Sequence, residues 1–235
     1  MKTVLFDLDG TLLPMDQEVF TRAYFKALAA KLIPHGYEQD ALVRGIWAGT
    51  AKMVGNDGQK TNEAVFWDAF AAIFGEKALK DKAVFDAFYA GEFDGARAVC
   101  GFAPQARDAV RTLRTAGIQV VLASNPIFPM TAQKKRMEWA GLDVSDFDYI
   151  TSYENSHYCK PNPDYYREVL SVIGRPAEDC LMVGNDASED MAAADAGLRT
   201  FLLTDCLINS KGRDISRYPR GSFDQLMTYI GTLMP

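Results

Sequence analysis

The chain has little histidine and little cysteine. His35 and His157 are its only histidines, and it contains no G-x-S-x-G, so a Ser-His-Asp hydrolase site is not expected. Cys100, Cys159, Cys180 and Cys206 are widely spaced, with no C-x-x-C. That argues against a zinc site or a disulfide framework, and for reduced thiols in a cytoplasmic protein. No apolar run approaches ~20 residues, so no membrane span is expected. The chain enters a strand-like run within three residues of Met1, which argues against a signal peptide. Basic residues are outnumbered, 25 Lys and Arg against 31 Asp and Glu, for a net charge of −6. This balance excludes a broad basic surface for nucleic acid but leaves room for a local phosphate pocket.

The 235 residues, 48% hydrophobic and 24% charged, suit one large domain or a core with an insert. A βα rhythm recurs. Thr3–Leu8, Ile118–Ala123, Tyr149–Thr151, Leu181–Gly184 and Thr200–Leu203 are short apolar runs with strand character. Gly117, Gly141, Gly174 and Gly197 each stand just before a strand, where a left-handed helix cap is expected. Strands alternating with helices predict an α/β fold, a doubly wound parallel sheet.

One segment breaks the rhythm. From about Met15 to Ala96 the patterns are helical only, with Phe20, Tyr24, Ala27, Leu28 and Leu32 on one face and Phe66, Phe70, Ile73 and Phe74 on another. Asn62 reads as the N-cap of the second of these. So long an interruption is no ordinary crossover. Residues 1–14 and 97–235 are therefore expected to form the α/β core and residues 15–96 an inserted all-helical domain. Pro14 and Gly91–Gly95 mark the places where the chain bends.

The richest stretch is Phe6-Asp7-Leu8-Asp9-Gly10-Thr11-Leu12. Two carboxylates two residues apart at a strand end point to one side. Their repulsion requires a bound cation or a shared proton. Ligands of open α/β sheets bind beyond the carboxyl ends of the strands. At the other strand ends stand Ser124 and Asn125, then Lys160-Pro161-Asn162-Pro163, then Gly184-Asn185-Asp186 and Asp190. Asn162 followed by Pro163 also reads as a helix start. Carboxylates, a hydroxyl, an amide and a lysine together suit Mg²⁺ and a phosphoryl group, with backbone N–H groups sharing the phosphate charge.

These motifs resemble the haloacid dehalogenase (HAD) superfamily, whose D-x-D-G-T pattern matches Asp7, Asp9, Gly10 and Thr11. Its Ser/Thr motif matches Ser124, its lysine motif Lys160, and its acidic motif Gly184 through Asp190. The resemblance implies a Rossmann-like core with a helical cap between the first two motifs. It further implies a Mg²⁺-dependent phosphatase acting on a small phosphorylated metabolite. Asp7 is then the nucleophile, and Asp9 the acid and base as well as a metal ligand through its backbone carbonyl. Ser124, the N–H of Asn125 and Lys160 bind the phosphoryl oxygens, while Thr11 and Asp190 support the site. One departure stands out: the family places Asp directly after Gly, where this chain has Asn185 and then Asp186. Asp186 is the preferred metal ligand, since a hard cation gains more from a carboxylate, with Asn185 the alternative. Phosphomutase, 2-haloacid dehalogenase and a catalytically silent binding protein are the competing readings. Asp9 favours phosphoryl transfer over carbon–halogen cleavage, which needs no protonated leaving group.

Within the insert, Gly45–Lys52 and Gly55–Gly58 read as a loop dipping toward the site, against a reading in which Trp47 packs inside the insert. Tyr153 and His157 are candidates for the pocket edge; Tyr158 and Cys159 are expected to pack. Composition is indifferent between a monomer and a homodimer.

Overall fold

The computed structural model describes residues 1–233. Six strands form one wholly parallel sheet in the order β3-β2-β1-β4-β5-β6. They are β1 (Thr3–Phe6), β2 (Gln119–Leu122), β3 (Tyr149–Ile150), β4 (Cys180–Gly184), β5 (Arg199–Leu203) and β6 (Arg220–Gly221). Five lie where the apolar runs predict them, each within two residues at either end. The short β6 carries no apolar run and was not anticipated. β1 is central: Val4 is in register with Val120 of β2 and with Leu181 of β4.

The alternation of a strand places its side chains on two faces. Val4 and Phe6, with Val120, Leu122, Leu181 and Val183, join α6 (Pro104–Thr115) and α9 (Phe223–Leu233) in the larger core. Leu5, Val121 and Met182 point the other way, against Tyr165, Tyr166 and Val169 of α8 (Pro163–Ile173) and the 3-10 segment Asp190–Ala196. Both faces are covered, as a buried parallel sheet requires. The four anticipated capping glycines all adopt positive φ.

Between β1 and β2 the chain is helical: α1 (Gln17–Leu32), α2 (Gln39–Val54), α3 (Asn62–Phe74), α4 (Glu76–Lys80), α5 (Lys82–Ala90) and a 3-10 run, Glu92–Val99. The helical run extends to Val99. There Met15 pairs with Cys100 in an antiparallel bridge, and Gly101 N donates to Pro14 O at 2.7 Å. The outgoing and returning chains thus cross side by side.

Two local expectations are corrected. Gly45–Lys52 is part of α2, not a loop. Its two glycines serve close helix packing: a Cβ at Gly45 would collide with Phe70 and Phe74, and one at Gly49 with Phe66. The N-cap of α3 is Thr61, whose hydroxyl accepts from Ala64 N at 3.3 Å. Asn62 is buried at the first helical position and reaches into the core. Its Nδ2 lies 3.3 Å from Pro126 O, 3.2 Å from Tyr158 O and 3.4 Å from Cys159 Sγ. Backbone donors of the same turn add to this, Asn62 N to Ser156 O at 2.8 Å and Glu63 N to Tyr153 O at 2.7 Å. The exposed N–H groups of a helix start are thereby satisfied by core loops.

Candidate active site

The sheet order reverses direction around β1, so the loops after β1, β2 and β4 converge at one end of the sheet. The first loop is tight. Gly10 takes φ of 84° and donates to Leu13 O at 2.8 Å, while Leu13 N returns to Leu8 O at 2.9 Å. Position 10 admits no side chain, because a Cβ there would strike the Asn185 amide. The backbone N–H groups of Leu8, Asp9 and Asn125 donate to no protein acceptor among the described residues. Free donors at buried turns are uncommon and suit an anionic ligand.

Lys160 is fully buried, its Nζ 2.9 Å from Asp7 Oδ1 and 2.6 Å from Asp190 Oδ1. Burial alone would lower its pKa, but the Asp190 and Asp7 carboxylates prevail and raise it well above the ordinary lysine value. The ammonium therefore stays charged and has one N–H left after its two carboxylates. Asp190 also accepts from Asp186 N at 2.9 Å through Oδ2, which ties the β4 loop to Lys160. Gly184 leaves the space in which that carboxylate sits. Asn125 holds the lysine loop, its Oδ1 accepting from Lys160 N at 3.2 Å. Ser124 is fixed through its carbonyl, which accepts from Thr151 Oγ1 at 2.8 Å and Tyr165 OH at 2.9 Å.

Asp9 forms an ion pair with Arg136 that sequence reasoning missed. Arg136 is fully buried on α7 (Met130–Trp139), stacks 4.4 Å from the Phe128 ring centroid, and is braced by Gln133. Gln133 in turn donates to Thr151 O at 2.9 Å. Burial pushes the Asp9 carboxyl up to about 6; Arg136 opposes that rise and Asp7 adds to it. Asp9 Oδ1 is buried with no hydrogen-bond partner among the described residues.

The Asn185–Asp186 pair divides its work. Asn185 Oδ1 accepts from Thr11 Oγ1 at 2.9 Å, and its Nδ2 donates to Cys206 O at 2.7 Å. Both ends of that amide are occupied in tying loops together. Asp186 Oδ1 accepts from Ser188 N at 2.6 Å and Glu189 N at 2.9 Å, and Oδ2 has no protein donor among the described residues. Glu189, a second residue that was not anticipated, accepts from Asn125 Nδ2 at 3.0 Å, and burial pushes its carboxyl up to about 7.

A cavity of about 300 Å³ opens on this cluster. Asp7, Asp9, Ser124, Asn125, Asn185, Asp186 and Asp190 all line it, whereas Lys160 and Thr11 stand behind its wall. Tyr153 lines it too; His157 does not, and pairs instead with Glu168 at 2.6 Å. Glu189 joins the acidic wall, while no lysine, arginine or histidine among the described residues lines the cavity. A phosphate dianion facing this wall needs a cation. The free Asp186 oxygen and the acidic wall, Asp7 among it, fit a hard divalent ion such as Mg²⁺. No three His, Cys, Asp or Glu side chains form a metal cage among the described residues. Mg²⁺ commonly takes only one or two carboxylates and completes its shell with water and substrate oxygens.

The chain is similar to several known proteins. The phosphoglycolate phosphatase of Aquifex aeolicus is 24% identical over 202 residues, 86% of this chain and 84% of that protein. An HAD phosphatase structure from Thermococcus onnurineus matches with a TM-score of 0.61 at 20% identity, covering 98% of each chain. A 2-haloacid dehalogenase from Pseudomonas syringae pv. Tomato DC3000 matches with a TM-score of 0.63 at 19% identity, covering 100% of each. At these identities the two structures speak for the fold alone. The sequence pattern of the family itself matches residues 1–197, most of the chain and all four motif loops, so the protein belongs to the haloacid dehalogenase-like hydrolases.

Proposed function

We propose that the protein is a Mg²⁺-dependent phosphatase that hydrolyses a small phosphorylated metabolite through a phosphorylated form of Asp7. The observation that carries this reading is Asp9, a second acid that lines the same cavity two residues after Asp7, its carboxyl pushed up by burial. An alkoxide leaving phosphorus needs a proton, whereas a halide leaving carbon does not. The same pair would serve a phosphomutase; release of one phosphate per ester consumed separates the two.

In this scheme the Asp7 carboxylate attacks phosphorus and the ester P–O bond breaks as Asp9 protonates the departing oxygen. Asp9, now ionised, takes a proton from the water that attacks the phosphorylated Asp7. Inorganic phosphate leaves and Asp7 is restored. The Ser124 hydroxyl and the free N–H groups of Leu8, Asp9 and Asn125 hold the phosphoryl oxygens, and Lys160, paired with Asp7 behind the wall, adds positive charge through that pair. Asp7, Asp186 and the Asp9 carbonyl would hold Mg²⁺, with Asn185 confined to joining loops. When bound, the ion supplies the positive charge that lets an anionic ester approach an anionic nucleophile. Residues 15–96 act as the cap over a core of residues 1–14 and 97–235, moving about Pro14 and Gly91–Gly95.

The test is phosphate release from a broad panel of phosphate monoesters with and without Mg²⁺. Chelation of all divalent metal is expected to abolish turnover and readdition of Mg²⁺ to restore it. Activity that survives complete metal removal contradicts the scheme. Arg136 supplies a further check. Its guanidinium lowers the Asp9 pKa, so in Arg136→Met the Asp9 ionisation moves upward from about 6. Carbon-detected NMR titration of the metal-free protein reads that shift, and an unchanged or lower value contradicts the pairing.

A further inference from the structure

The helical insert gives the cavity a wall unlike the acidic end. From the insert come Phe20, Tyr24, Phe66, Trp67 and other rings, one isoleucine, no charged side chain among the described residues, and three non-aromatic polar side chains, Gln17, Thr21 and Thr50; the Tyr24 and Tyr89 hydroxyls bond each other at 2.8 Å. Phe128 adds a core ring to this wall. Trp47 is the telling member: it lines the cavity 5.5 Å from the Phe25 ring centroid, yet 52% of it is exposed. A half-exposed indole contributes little to the core, and large rings at a cavity mouth favour a ligand.

We infer that the leaving group is neutral and apolar, with an aromatic ring or comparable hydrocarbon, joined to a single phosphate. This inference rests on the phosphatase reading and names its substrate class. A carboxylate or second phosphate on the leaving group would face rings with no lysine, arginine or histidine to meet it. A polyhydroxylated leaving group would have to compete for the Tyr24 and Tyr89 hydroxyls, which are engaged with each other at 2.8 Å, and unpaired hydroxyls are costly to bury. An apolar ring instead loses only water-exposed surface, and the volume of about 300 Å³ falls at the small end of ligand cavities. The phosphate binds at the acidic end through the metal and the free N–H groups.

The experiment compares esters of primary alcohols, so that leaving-group acidity is broadly similar: 2-phenylethyl phosphate, phosphoglycolate, choline phosphate and methyl phosphate, with pyrophosphate alongside. With Mg²⁺ present, kcat/KM for 2-phenylethyl phosphate is expected to exceed each of the others at least tenfold. Trp47→Ala is expected to lower the ratio of phenylethyl to methyl phosphate turnover at least fivefold. Equal rates, or preference for phosphoglycolate, pyrophosphate or choline phosphate, overturn the inference while leaving the phosphatase reading intact. Should no ester be hydrolysed, the phosphatase reading fails separately. The cavity preference is then read by calorimetry with Mg²⁺ and two non-hydrolysable analogues. Tighter binding of 3-phenylpropylphosphonate than of 3-phosphonopropionate supports the inference, and the reverse order or no binding overturns it.

Discussion

Asp7→Asn is expected to abolish phosphate release, lowering kcat by at least about 10⁴-fold, while the protein stays folded. The amide keeps the shape of the carboxylate but is no nucleophile. Its carbonyl still accepts from Lys160, whose ammonium also retains Asp190 at 2.6 Å. The cavity thus loses its reactive oxygen without leaving a buried lysine unpaired. Phosphate release under saturating ester and Mg²⁺, together with thermal unfolding of the same sample, measures both halves. Substantial turnover by a folded Asp7→Asn variant would sink the nucleophile assignment. Accumulation of phosphorylated protein during wild-type turnover, seen by intact-mass spectrometry and absent from the variant, would support it.

Lys160→Met is expected to damage stability as well as turnover. Removing the ammonium leaves Asp7 and Asp190 facing each other in a buried site with no cation between them. Breaking a buried ion pair from one side costs about 3–5 kcal/mol. Urea denaturation should show that loss as a lower midpoint. Adding Asp190→Asn removes one of the stranded charges and is expected to recover part of the stability, though not the activity, since the positive charge beside Asp7 is still missing. A Lys160→Met protein as stable as wild type would show that the carboxylates find other compensation.

Most of the core was legible in the sequence because a buried parallel strand announces itself as a short apolar run closed by polar residues. Val4-Leu5-Phe6 before Asp7, and Leu181–Val183 before Gly184, are of this kind. Asp7, Asp9, Ser124, Asn125 and Asp186 could be gathered at one cavity because topology, not distance along the chain, decides what meets there. Arg136 escaped notice because it follows Lys134 and Lys135, and three adjacent cations read as a solvated face. The signal was present in spacing: Ala132, Arg136 and Trp139 stand four and then three residues apart, on one helix face. Glu189 was hidden between two acids already assigned. Gly45 and Gly49 were misread because glycine marks both flexible loops and close helix approach, and only the partner, here Phe66 and Phe70, distinguishes them.

The buried Asn62 fastens the insert to two loops of the candidate site at once. Pro126 directly follows the Ser124-Asn125 turn, and Cys159 directly precedes Lys160. Movement of the insert away from the core must therefore release these bonds together with those of Ser156 and Tyr153. In such an opening the contacts at both loops would be lost together. Under the proposed function, release of product would then be tied to the same bonds that hold the Asn125 and Lys160 loops in place.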